Sequence, residues 1–152
     1  KLQYKQHIQL GLAGIVAAAG VFITTLYVFI MVFKGWHLMT PEVKANRFFM
    51  PGYALIIYLG YRYRKKPAIH KRLMLIATLY MLGPILSRAL GHSFIDSLTV
   101  SDLAWDITIL SLWTCFFISL LLYDRIAIKK IHPVTLAGSG YYVLVWVLAW
   151  VL

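Results

Sequence analysis

Apolar residues come in five long runs, separated by short polar stretches that hold nearly all of the charge. The first run, Ile8 to Phe33, has 26 residues without a charge, about 39 Å of helix at 1.5 Å per residue. That is longer than a hydrocarbon core of about 30 Å, so it predicts a tilted or protruding transmembrane helix over about 8–33. Ala13, Ala17, Gly20 and Thr24 form a small-residue stripe along it, a pattern that lets helices approach closely. The second run, Phe48 to Tyr61, carries Pro51 and Gly52 near its start and is too short to cross alone. Arg47 and Arg62 can snorkel from its two ends, which predicts a span over about 47–62.

The third run, Leu73 to Leu90, is interrupted only by Arg88 and predicts a helix over about 71–90, kinked at Gly83-Pro84. The fourth, Ile107 to Tyr123, predicts a helix over about 104–123. Ser101 or Thr99 would cap it, with Asp102 in its first turn. The fifth predicts a helix over about 133–152. Pro133 suits its first turn, and Gly138-Ser139-Gly140 makes the opening turns soft. The fold class read from the pattern is therefore all-α: an integral membrane helical bundle of about five transmembrane helices, forming one domain over 1–152.

Composition agrees. Of the 152 residues, 61% are hydrophobic and 13% charged, more apolar surface than a soluble domain of this size can bury. The first run is too long for a signal peptide and lacks a small-residue cleavage pattern.

Charge then orients the bundle. With the segment before His70 in the cytoplasm, five spans place the N-terminus inside and the C-terminus outside. The inner segments then carry eleven cations: Lys1, Lys5, Arg62, Arg64, Lys65, Lys66, Lys71, Arg72, Arg125, Lys129 and Lys130. The outer ones carry three, Lys34, Lys44 and Arg47, a strong positive-inside asymmetry. Four of the five acids (Glu42, Asp96, Asp102 and Asp106) fall outside or at the outer boundary. Trp36, Phe48, Phe49, Trp105 and Trp150 flank the outer side as an aromatic belt, and Tyr61, Tyr63 and Tyr123 the inner. The net charge of +10 is thus read by location, and no basic segment is interleaved with base-reading side chains, so no nucleic-acid partner is expected. Cys115, the single cysteine, sits beside Phe116 and Phe117 and is expected to be buried filler.

Two segments resemble a known family. Lys66-Pro67-Ala68-Ile69-His70-Lys71-Arg72-Leu73-Met74-Leu75-Ile76-Ala77-Thr78 resembles the KPAxHKRLMLxAT signature of an uncharacterised family of small multi-pass bacterial membrane proteins. Tyr123-Asp124-Arg125, followed by His132-Pro133-Val134-Thr135-Leu136-Ala137-Gly138, is similar to their YD…HPxTLxG segment. His7-Ile8-Gln9-Leu10-Gly11 stands where the family often reads HRxLG, without the arginine. The resemblance covers roughly residues 66–138 and implies residence in the bacterial inner membrane. It implies no activity.

Two groups of residues are candidates for chemistry. His7, His70 and His132 stand at the inner starts of the first, third and fifth helices, whose N-termini present unpaired N–H groups and the positive dipole end. With Lys71, Arg72 and the other inner cations they make an anion-attracting face, for which anionic lipid headgroups are the plain ligand. A phosphate or a haem propionate is the sharper alternative. Histidines from two helices also hold transmembrane haem, which makes one b-type haem on His70 with His7 or His132 an alternative reading. A second haem on His37 and His92 does not fit. His7 and His37 are 30 residues apart, about 45 Å of helix and longer than the hydrocarbon is thick.

Near the outer face, Arg88, His92 and Asp96 are spaced by four, as are Asp102 and Asp106. Arg88 and Asp106 fall at similar depth, so an Arg88–Asp106 ion pair between the third and fourth helices is predicted. A proton or ion path, or a divalent-metal site using His92 with the aspartates, is the functional alternative. No metalloprotease motif, nucleophile elbow, phosphate loop, dinucleotide fingerprint or C-x-x-C is present. The function expected is a non-enzymatic multi-pass membrane subunit or oligomeric scaffold that binds anionic lipid at its basic face. It would work as a homo-oligomer or in a larger membrane complex. A haem redox protein and a small ion or solute transporter are the alternatives.

Overall fold

The computed structural model describes residues 2–91 and 101–152 and contains six α-helices among them: α1 (Leu2–Met31), α2 (Pro41–Arg62), α3 (Pro67–Tyr80), α4 (Leu82–Gly91), α5 (Asp102–Ala127) and α6 (Pro133–Val151). Contacts group the chain into two units, residues 1–34 and 35–152. The first unit is α1, one uninterrupted helix in which Thr24 Oγ1 donates to the Gly20 carbonyl at 2.8 Å. The second unit is a bundle of α2 to α6.

Each helix start has a local cause. Thr40 accepts from the Val43 N–H and Pro41 follows it, so α2 begins six residues before the predicted 47. Its start lay hidden because Glu42, Lys44 and Arg47 dilute the apolar pattern over a turn that is nonetheless helical. Pro51 lies inside the helix without ending it. Ser101 caps α5 by accepting from the Ala104 N–H at 3.2 Å, while the alternative cap, Thr99, lies outside the described residues. Pro133 opens α6 as predicted.

The third predicted helix is two. α3 and α4 meet at Met81 with a bend of 45°. Pro84 has no N–H to offer the carbonyl four residues back, at Tyr80, and its ring crowds that carbonyl. The break therefore sits upstream of the Gly83-Pro84 pair. Trp113 Nε1 donates to the Leu79 carbonyl at 2.6 Å, satisfying a group in the last turn of α3.

The bundle core is aromatic. Phe49 is fully buried among Tyr80, Trp113, Tyr141 and Tyr142, with ring centroids 4.9 to 6.2 Å away. It belongs to the core and not to the outer belt predicted for it, because its face of α2 packs against aromatic residues of α3, α5 and α6. The tyrosine hydroxyls find partners within the bundle: Tyr80 donates to the Gly138 carbonyl and Tyr141 to the Phe48 carbonyl. Gly138 allows α6 to close on α3, since a Cβ there would stand 2.7 Å from Ile76 Cδ1. The Gly138-Ser139-Gly140 stretch lies in regular helix and Gly138 serves close packing, where a soft opening was expected. Cys115 is exposed on α5, which corrects its reading as buried filler; the apolar run continues around that helix onto its outward face.

Among the described residues three helices are long and apolar enough to cross a membrane: Gln9–Met31, Leu103–Ala127 and Pro133–Val151. The bent α3–α4 pair passes the same test when taken together. α2 does not pass that test by itself.

Candidate functional site

Four helix ends converge at one end of the bundle. Asp124, in the last turn of α5, is fully buried and is the hub. Its Oδ1 accepts from Arg72 Nη2 at 2.6 Å and Nε at 3.1 Å, joining α5 to the start of α3. Its Oδ2 accepts from Thr135 Oγ1 at 2.6 Å and from the His132 backbone N–H at 3.1 Å, joining α5 to the start of α6. Arg72 also donates from Nη1 to the Ala68 carbonyl at 2.9 Å, so its planar fork is held from both sides. With its side chain only 13% exposed, this is a buried, fully hydrogen-bonded ion pair.

α2 joins the same end through His70. Its Nδ1 lies 2.9 Å from the Gly60 carbonyl oxygen. A carbonyl only accepts, so Nδ1 carries the proton and the ring closes one of the free carbonyls at the end of α2. His132 does the opposite. It is the N-cap of α6, and its Nδ1 accepts from the Val134 N–H at 3.2 Å, which puts the proton of the neutral ring on Nε2. Between α5 and α6 the chain turns through Lys129 at φ 56, a left-handed conformation that aims the His132 N–H back at Asp124.

Around this junction the cations are exposed. Lys71, Arg62, Lys65, Arg125, Lys129 and Lys130 all face outward. Arg64 lies over the Tyr61 ring at 4.3 Å and Lys66 over Tyr63 at 5.7 Å. Beside the junction, α3 and α5 leave a cleft of about 330 Å³ that runs from Lys71 and Tyr123 toward Leu79 and Phe116.

Of the residues singled out in the sequence, the structure gathers His70, Arg72 and His132 at the junction, with Lys71 beside it. His7 is exposed on α1, in the separate first unit. At the other end of the bundle Asp106 is buried near the start of α5, and Glu42 of α2 is buried as well. Ser87 of α4 hydrogen-bonds Glu42 Oε1. Arg88 is exposed, and the predicted Arg88–Asp106 ion pair is not among the contacts of the described residues. Asp102 lies in the first turn of α5 as predicted, whereas His92 and Asp96 lie outside the described residues. No group of three or more His, Cys, Asp or Glu side chains with metal-binding geometry occurs among the described residues.

Sequence reasoning missed Asp124 and Glu42 as site residues. The signal for Asp124 was present: it is the one acid of the five that falls among the inner cations. Glu42 and Asn46, four apart, share one face of α2, and both are buried. Arg72 and Asp124 lie in the two segments, 66–78 and 123–138, that carry the family resemblance, so those segments meet in one contact. No family model, no curated protein and no solved structure matches the chain.

Proposed function

We propose that the chain is a five-span bacterial inner-membrane protein of the resembled multi-pass family, with its N-terminus in the cytoplasm. It acts as a non-enzymatic membrane subunit or oligomeric scaffold that holds anionic lipid at its basic cytoplasmic face. The observation that carries this is the junction itself. The end of α2, the start of α3, the end of α5 and the start of α6 share one face, and the cations beside them are exposed. Counting the bent α3–α4 pair as one span and α2 as another, alternate crossings put all four ends on the same side. Positive charge at that density is retained on the cytoplasmic face. Because Arg72 is spent on Asp124, the surface charge offered to lipid comes from Lys71 and its exposed neighbours, each worth about 1 kcal/mol against an anionic surface.

Native mass spectrometry of the full chain released from detergent tests the reading. Phosphatidylglycerol should be retained in preference to phosphatidylcholine, and neutralising Lys65, Lys66 and Lys71 together should remove the preference. Equal retention of both lipids by the wild-type chain would refute it.

One observation favours the haem reading as a second proposal. The His70 Nδ1–H on a backbone carbonyl leaves Nε2 with its lone pair, the arrangement that haem and metal ligands adopt. His132 would have to give up its cap to join it. A Soret band in purified protein, lost in His70→Ala, would support it; a colourless preparation would sink it.

A further inference from the structure

The cleft between α3 and α5 differs along its length, and that difference names an occupant. Its upper end is lined by Lys71, Tyr123 and the Arg72–Asp124 pair; below, its walls are Leu75, Leu79, Phe116 and Leu120. Lys71 is exposed and has no hydrogen-bond or ion-pair partner among the described residues. The Asp124 carboxylate would repel an anion, but it is fully buried and matched by Arg72, so the mouth of the cleft keeps its positive character. Ser119, on the wall, is already satisfied by donating to the Phe116 carbonyl at 2.8 Å, which leaves that wall effectively apolar. From Lys71 to Leu79 is about 12 Å of helix, so the apolar part points from the basic end toward the middle of the bundle. A volume of about 330 Å³ falls within the range of small-molecule sites, about 300–1,000 Å³.

We infer that this cleft seats one anionic phospholipid, its phosphate on Lys71 and an acyl chain between Leu75, Leu79, Phe116 and Leu120. The inference rests on the reading of the basic face as a lipid-binding surface and adds a single built site to it. Charge selects the headgroup and the cleft selects a chain. Neither a free phosphate nor a soluble anion satisfies the apolar walls, and a zwitterionic lipid gains less from Lys71 because its ammonium group offsets the phosphate charge.

The test uses the full chain in detergent, titrated with phosphatidylglycerol or phosphatidylcholine and read by native mass spectrometry. One phosphatidylglycerol should bind ahead of all further adducts. Lys71→Gln should weaken that first lipid about fivefold, as expected for one basic residue at a lipid surface. Ser119→Trp, which fills the cleft from an exposed position, should abolish the first lipid and leave the weaker adducts in place. Leu75→Phe narrows the cleft with a smaller change and keeps the test open should the tryptophan variant fail to fold. First-lipid binding that survives both cleft variants unchanged would overturn the site while leaving the basic-face reading intact. Phosphatidylcholine binding as tightly as phosphatidylglycerol would overturn both.

Discussion

Replacing Asp124 by alanine tests the junction most directly. The substitution removes one carboxylate and strands three donors: the Arg72 guanidinium, the Thr135 hydroxyl and the His132 N–H. Removing one partner of a buried ion pair costs about 3–5 kcal/mol, and a buried hydroxyl left without an acceptor adds about 1–3 kcal/mol. Thr135 is fully buried, so water does not relieve it. A loss of 1 kcal/mol lowers the melting temperature of a chain this size by about 2–4 °C, which puts the ion-pair part alone at about 6–20 °C. Tryptophan fluorescence during heating in detergent reads the change, since Trp113 and Trp146 lie in the core. Asp124→Asn keeps an acceptor and should fall between the alanine variant and the wild type. The double substitution Arg72→Met with Asp124→Leu should recover much of the loss, because removing both charges of a buried pair is often close to neutral. A shift below about 2 °C for Asp124→Ala would refute the junction as a stabilising contact. So would a double variant that melts below the single one.

Three further outcomes follow from the packing. Gly83→Ala would place a Cβ 2.5 Å from Trp113 Cζ3 and 2.7 Å from Asn46 Oδ1, so it should cost about 1–3 kcal/mol by overpacking; thermal unfolding checks it, and an unchanged melting temperature would show that α4 packs otherwise. Trp113→Phe keeps the aromatic contact but removes the donor to the Leu79 carbonyl, which should cost about 1–3 kcal/mol and expose the α3–α4 break to faster hydrogen exchange. Lys129→Gly relieves a left-handed residue and should stabilise by up to about 1 kcal/mol; a lower melting temperature would count against the turn.

The all-helical class and most helix ends were legible in the sequence, because a long apolar run has few alternatives to a buried or membrane-facing helix; the split of the third run into α3 and α4 was read only as a kink. Pro133 marked its helix start correctly, and Ser101 was one of two caps considered. What escaped were features fixed by partners far along the chain. The true start of α2 hides behind Glu42, Lys44 and Arg47, whose charges broke the apolar run without breaking the helix. Phe49 looked like a belt residue until its face of α2 was known. In the candidate site, the grouping of His70 with His132 followed from alternating spans, whereas their opposite ring tautomers depend on Gly60 and Val134 and had no local signature. Arg72 was read as a surface cation because its acceptor lies 52 residues away.

The junction also divides the bundle mechanically. Three helices, α3, α5 and α6, are riveted at one end by a single carboxylate, and the chain between α3 and α4 is hinged at Met81, beyond the rivet's reach. Strain applied to α4 at the far end would be taken up as rotation about that hinge instead of being passed to Asp124. Opening of the bundle should therefore begin at the α4 side and stop short of the basic face, so that its surface keeps its shape while the opposite end breathes.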